Sequence, residues 1–181
     1  MLCTVRRLDP STLHQHIDPM FRAAWALTGS REDAEDLVQD TFAKVLSRPR
    51  VVRGDERGYL MQALRNTFYT RVRTASRRPQ TTPMPEGSEP ADPRAPAPQL
   101  AAEVNEILGA VSELPEDFRL TIVAVDILGL SYGEASKALD VPEATITTRL
   151  YRARKRIAKQ FADSPTESRE GSGAGGVIPD G

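Results

Sequence analysis

The chain has 181 residues, with 24 Lys and Arg against 25 Asp and Glu and 39% hydrophobic residues, the composition of a soluble polypeptide with room for one or two small domains. Fibrous and fully disordered classes are excluded. No apolar run approaches the roughly 20 residues needed to cross a bilayer, and the start MLCTVRRLDP lacks the apolar core of a secretory signal, so a cytoplasmic protein without membrane insertion is expected. One cysteine, Cys3, and two histidines, His14 and His16, supply neither a disulfide nor a cluster with metal-ligand spacing, and no cofactor is expected.

The first predicted helix surrounds Phe21, Ala24, Trp25 and Thr28 and stops at Gly29, a residue suited to a helix C-terminus. A second follows in Ala34, Leu37, Val38, Thr41, Phe42, Val45 and Leu46, apolar positions that keep helical periodicity for more than three turns. Beside that stripe run Asp33, Asp36, Gln39 and Asp40. Such a face repels DNA and suits a basic protein surface, although a merely solvated face is the plainer reading of the spacing. Carboxylates three and four apart also allow a metal or general-acid site, but no histidine stands near them. Pro49 and the Gly54-Asp55 pair then break the chain. The third helix is read from Leu60, Ala63, Leu64, Thr67, Phe68 and Val72. Its polar face carries Gln62, Asn66, Tyr69 and Arg73, with Arg65 beside them. An amide, an aromatic ring and arginines are the parts needed to stack unpaired bases and hold their backbone; the alternative is that Tyr69 packs on a neighbouring helix with its hydroxyl in water. Residues 44–78 hold ten cations against Asp55 and Glu56, whereas residues 31–40 hold five carboxylates and one arginine. Segregation of this kind points to two different partners.

Residues 79–98 contain seven of the fourteen prolines and almost no large apolar side chain, so this stretch reads as a flexible linker. Beyond it come Val104, Ile107, Leu108 and Val111, and then, past Pro115, the segment LTIVAVDILGL, expected to be the most buried helix. Ser131, followed three residues later by Glu134, forms a capping box that starts a short helix ending near Asp140. Val141-Pro142 makes a turn, and a long helix runs from about residue 143 to 161 with Ile146, Leu150, Ala153, Ile157 and Phe161 on its packed side. Thr145, Thr148, Arg149, Arg152, Arg156 and Lys159 fall opposite. A helix, a tight turn and a long basic helix are the signature of a helix-turn-helix, whose second helix can offer arginines to guanine edges and phosphates in a major groove. The fold class expected is all-α: two small helical domains joined by a flexible proline-rich linker.

These residues resemble a known family. The segments REDAEDLVQDTFAKVL, VRGDERGYLMQALRN and LPEDFRLTIVAVDILGLSYGEASKALDVPEATITTRLYRARKRI resemble the bacterial RNA polymerase sigma factors of the extracytoplasmic-function (ECF) type, which consist of little more than the family's second and fourth conserved regions. The resemblance implies an N-terminal extension over 1–19, a region 2 domain over 20–78, a linker over 79–99, a region 4 domain over 100–161 and a disordered tail over 162–181. It implies that Asp33, Asp36, Gln39 and Asp40 bind the clamp helices of the largest subunit of core RNA polymerase, with the flap as a further contact. Arg53, Asp55, Tyr59, Gln62, Arg65, Asn66, Tyr69 and Arg73 then face the minus-ten element, where the loop around Arg53-Gly54-Asp55 helps receive a flipped-out base. Ser131, Tyr132, Thr145, Thr148, Arg149, Arg152, Arg154 and Arg156 face the minus-35 element. Many relatives are held by an anti-sigma protein, which is therefore an implied partner beside promoter DNA. Val52 stands where an aromatic is frequent, Tyr59 where tryptophan is, and Thr147 where lysine is, so promoter preference does not transfer from other members.

The function expected is a transcription initiation factor without enzymatic activity. Two rivals differ in kind. A free-standing helix-turn-helix regulator accounts for the second block but leaves the acidic helix without a role, and a hydrolase built on the carboxylates of residues 32–40 lacks a histidine partner, a metal-ligand set and a glycine-rich loop.

Overall fold

The computed structural model describes residues 5–7, 13–47, 51–53, 55–75 and 98–163. Most of the linker and tail expected over 79–99 and 162–181 lies outside them, as do Cys3 and Gly54. Among the described residues the chain is helical except for one short ribbon, in which β1 (Val5–Arg7) pairs antiparallel with β2 (Val51–Arg53). The helices are α1 (Ile17–Thr28), α2 (Arg31–Leu46), α3 (Glu56–Ala75), α4 (Pro98–Ser112), α5 (Glu116–Ile122), α6 (Tyr132–Leu139) and α7 (Glu143–Asp163). A 3-10 turn (Leu13–His16) precedes α1, and a π-helical segment (Val123–Ile127) continues α5.

Local chemistry sets the boundaries. Gly29 adopts the left-handed conformation, φ 74°, and its N–H closes α1 on the Trp25 carbonyl at 2.7 Å, a conformation that costs a residue with a Cβ more than it costs glycine. Ser30 then caps α2, its hydroxyl accepting from the Asp33 N–H at 3.3 Å. Ala34, Leu37, Val38, Thr41 and Val45 form the buried face of α2, and the Thr41 hydroxyl meets its burial cost by donating to the Leu37 carbonyl at 2.7 Å. The third helix runs antiparallel to the second, since Lys44 reaches Thr67 at 3.5 Å while Arg71 reaches back to Asp36 and Asp40. It spans Glu56–Ala75, longer at both ends than its apolar spacing requires.

In the second half the capping box is present as the sequence predicts. The Ser131 hydroxyl accepts from the Glu134 N–H at 3.3 Å, and the Glu134 carboxylate accepts from the Ser131 N–H at 2.8 Å. Asp140 ends α6 in the left-handed region, φ 59°, a conformation that aspartate tolerates better than most side chains. The stretch expected as one buried helix is buried but not uniform: α5 gives way at Val123 to π geometry, with the Leu128 N–H on the Val123 carbonyl at 3.0 Å.

The two halves share one continuous core. Met20, Leu27, Leu37, Leu60, Met61, Leu64, Val111, Val123, Ile146 and Leu150 are all fully buried in it. Helix α1 packs on α4 and on the π-helical segment, and α3 packs on α6. Full burial of a leucine contributes about 1.5 to 3 kcal/mol, against about 0 to 1 kcal/mol for an exposed ion pair, so apolar packing rather than charge joins the halves. Tethered units were expected from the sequence; in the structure they are docked.

Candidate polymerase and nucleic-acid interfaces

The acidic stripe of α2 lies at the surface as its spacing demands, with Asp33, Asp36, Gln39 and Asp40 all exposed. It is not purely acidic in its setting. Arg71 of α3 stands over it, its guanidinium 3.3 Å from Asp36 Oδ2, 3.3 Å from Asp40 Oδ2 and 3.8 Å from Asp33 Oδ1. Arg71 is one of the ten cations of residues 44–78, and the structure turns it to the carboxylates of α2. The side chains of Asp36 and Asp40 stay 60% and 54% exposed, so one cation fixes the three carboxylates without covering them.

On α3 the predicted polar face divides. Tyr59, Gln62 and Asn66 line a groove of about 480 Å³ together with Lys44, Val45, Ser47 and Thr70, amides and a cation beside an aromatic ring. Gln62 and Asn66 are exposed. Tyr69, one turn on from Asn66, turns away from solvent and donates its hydroxyl to Glu116 Oε1 of α5 at 2.6 Å. Burial, with that carboxylate added, pushes the phenol up to about 12, so Tyr69 is a hydrogen-bond donor throughout the physiological range. Arg65 is half-buried and its Nε has no acceptor. Asp55 accepts from Arg57 Nε at 3.0 Å just before the helix, and Arg73 is exposed near its end. Arg53 lies in β2, opposite Val5; the pairing of β2 with a segment nearly fifty residues upstream carries no local sequence signal.

The arginines of α7 are mostly engaged by their own chain. Arg149 donates through Nη2 to Asp117 Oδ2 at 2.7 Å. Arg154 makes a fork to Asp126 at 3.1 and 2.5 Å, and hydrogen bonding to that carboxylate raises its guanidinium further above the usual value. Arg156 stacks over Phe118 at 5.0 Å. Arg152 and Thr148 are exposed, and Thr148 returns its hydroxyl to the Ala144 carbonyl at 2.9 Å. Thr145 is half-buried, Tyr132 is 40% exposed, and the Ser131 hydroxyl is occupied by its cap. Tyr151 was missed from sequence. It is 68% exposed on the outer side of α7 beside Arg152 and Lys155, where a ring counted only for its apolarity passes as core. Among the described residues no group of three or more His, Cys, Asp or Glu could hold a metal, and no helix is long and apolar enough to cross a membrane.

Residues 12–78 match the family Sigma-70 region 2, and residues 105–157 match Sigma-70, region 4. Among curated relatives, the ECF RNA polymerase sigma factor SigE of Mycolicibacterium smegmatis is 32% identical over 86% of this chain and 62% of its own length. The ECF RNA polymerase sigma-E factor of Salmonella typhimurium strain 14028s is 30% identical over 69% of this chain and 72% of its own, and SigM of Bacillus subtilis is 29% identical over 78% and 88%. The fold is shared with the sigma factor RpoE of Bartonella quintana, solved with the anti-sigma factor NepR, at TM-score 0.66 and 23% identity over 85% of this chain and 96% of that one. It is also shared with CnrH, solved with the cytosolic domain of CnrY, at TM-score 0.55 and 24% identity over 85% and 88%. Two helical regions in this order, one with an acidic and a basic face and the other a helix-turn-helix, define a sigma-type transcription initiation factor. The chain belongs to the ECF RNA polymerase sigma factors.

Proposed function

We propose that Asp33, Asp36, Gln39 and Asp40 dock this factor on the clamp helices of the largest polymerase subunit, that α3 with its groove reads and opens the minus-ten element, and that α7 reads the minus-35 element. The observation that carries this reading is the coexistence, in one chain, of an exposed carboxylate stripe useless for DNA and two helices whose amides, aromatics and arginines suit nucleic acid. Residues 20–78 and 100–161 are the working units, the second resting on the polymerase flap. The minus-ten surface works by capture: once a base leaves the stack, Gln62 and Asn66 offer it hydrogen bonds, Tyr59 a stacking face and Lys44 a cation for the backbone. The factor catalyses no reaction of its own, and its effect on rate comes from holding the open strand. An anti-sigma protein is a candidate partner, a reading supported by the solved neighbour RpoE, which is in complex with the anti-sigma factor NepR.

The test is reconstitution. Purified chain should co-elute with core polymerase and direct run-off transcription from a defined set of genomic promoters. Tight, sequence-specific duplex binding by the chain alone, with no co-elution, would instead establish the free-standing regulator.

A further inference from the structure

We infer that Arg71 of α3 is a positioning residue for the carboxylate stripe of α2: it orders Asp36 and Asp40 before a basic partner arrives and stays in place once that partner is bound. The inference rests on the proposed role of the stripe as the polymerase contact and adds to that contact a residue from a different helix. Leu64, Phe68 and Arg71 recur at i, i+4 and i+7, so the arginine continues the face of α3 that is buried through Leu64 and Phe68. Packing of α3 on α2 fixes its backbone. Its side chain is 32% exposed, against 60%, 60% and 54% for Asp33, Asp36 and Asp40. The cation is therefore the inner member of the cluster and the carboxylates are the outer ones.

Such an arginine can act with either of two signs. As a competitor it would take up the carboxylates and have to be displaced; as a brace it would hold them for a second cation. The oxygens decide between these. Arg71 Nη1 donates to Asp40 Oδ2 and Nη2 donates to Asp36 Oδ2, both at 3.3 Å, so each carboxylate gives up one oxygen. No other hydrogen bond or ion pair among the described residues reaches Oδ1 of Asp36 or Asp40. An ionised carboxylate has about four lone-pair sites, so Oδ1 can accept from a partner cation while Oδ2 keeps Arg71. Water around side chains more than half exposed screens the repulsion between the two cations.

What Arg71 contributes is order in advance of binding, which lowers the cost of docking without adding a contact. The partner surface that fits presents two cations about 5 to 6 Å apart, the spacing of residues at i and i+4 on one helix face. A lysine at position 71 would carry the same charge, but it lacks the planar fork that fixes two carboxylates at once. Charge and geometry can thus be separated by one substitution.

The experiment follows binding of the full-length chain to immobilised core polymerase by biolayer interferometry. Arg71→Lys should raise the dissociation rate about three- to tenfold, the loss expected when two side chains are no longer ordered beforehand, and should leave the association rate, which follows charge, unchanged. Arg71→Ala should dissociate at least as fast, even though the stripe is then more negative. Arg22→Ala removes a cation from an exposed position of α1 and should change neither rate. Parental dissociation by Arg71→Lys, tighter binding by Arg71→Ala, or an equal change in Arg22→Ala would overturn the brace. Action through the carboxylates is checked in a background of Asp36→Asn with Asp40→Asn, at concentrations raised to keep binding measurable. There Arg71→Lys should have no further effect, and a persisting effect would make Arg71 a direct contact instead. Melting temperature should not change in any Arg71 variant, because exposed ion pairs contribute little to folding; a fall that parallels the loss of binding would assign Arg71 to the fold. Normal binding by Asp36→Lys with Asp40→Lys would count against the proposed function of the stripe itself, whereas loss of binding there beside a parental rate in Arg71→Lys would remove only the positioning role.

Discussion

Asn66 and Tyr69 stand one turn apart on α3, yet one faces an open groove and the other a carboxylate of α5. Helical spacing placed both on the polar face, which is correct as geometry. It cannot reveal that a partner 47 positions away claims the tyrosine, because periodicity carries information only about neighbours along one element. The two helices proposed to read the promoter should therefore fail differently when trimmed. Asn66→Ala should spare closed-complex formation by holoenzyme and slow strand opening, with pre-melted template restoring activity, since an amide in the groove makes its bonds only after the base has left the stack. Permanganate reactivity of unpaired thymines checks this, and normal opening would refute it. Arg149→Ala should cost about 1 to 3 kcal/mol of minus-35 affinity if its fork meets a base, a loss read by gel shift of holoenzyme on duplex. At the proposed polymerase contact, Asp36→Lys with Asp40→Lys should abolish co-elution with core, because the charge offered to the partner is reversed, while leaving the circular dichroism of the helices unchanged, because both side chains are exposed and outside the apolar core. Normal co-elution would reassign the stripe to a solvated face.

At the level of single elements the sequence was most informative where side chains satisfy backbone groups locally. Gly29 and the Ser131-Glu134 box lie where the capping signals put them, because each acts within four residues of itself. The π-helical turn at Val123–Ile127 was not legible. An apolar run reads alike in α and π geometry, and the choice rests on how the segment meets α1 and α6. The α6 cap has a pH signature. Hydrogen bonds from the Ser131 hydroxyl and N–H hold the Glu134 carboxyl below the usual carboxylate range, so the folded pKa lies under the unfolded one. The cap's contribution is therefore present above the ordinary glutamate pKa and is lost as pH falls through the depressed folded value. Melting temperature followed by circular dichroism between about pH 6 and pH 3 should decline less steeply in Glu134→Ala than in the parent. At neutral pH that variant should be destabilised by about 1 kcal/mol, as for loss of other N-terminal caps. An identical acid slope in both proteins would remove Glu134 from the account.

Across the whole molecule, the number of helical units and their order along the chain could be read from composition, because a proline-rich stretch without large apolar residues cannot join a core. The docking of those units could not, since the apolar faces that meet between α1 and α4 look in sequence like ordinary core faces of separate bundles. The ribbon at Val5–Arg7 and Val51–Arg53 has a consequence in the order of synthesis. On a ribosome adding about 5 to 20 residues per second, the upstream strand waits several seconds for its partner to emerge, during which the loop proposed to receive a base has no fixed flank. Anything fused ahead of Val5 is carried to that flank once pairing occurs. A bulky N-terminal affinity tag should accordingly slow promoter opening without weakening attachment to polymerase, and cleaving it off should restore the rate; equal opening rates before and after cleavage would mean that the ribbon and the loop work independently.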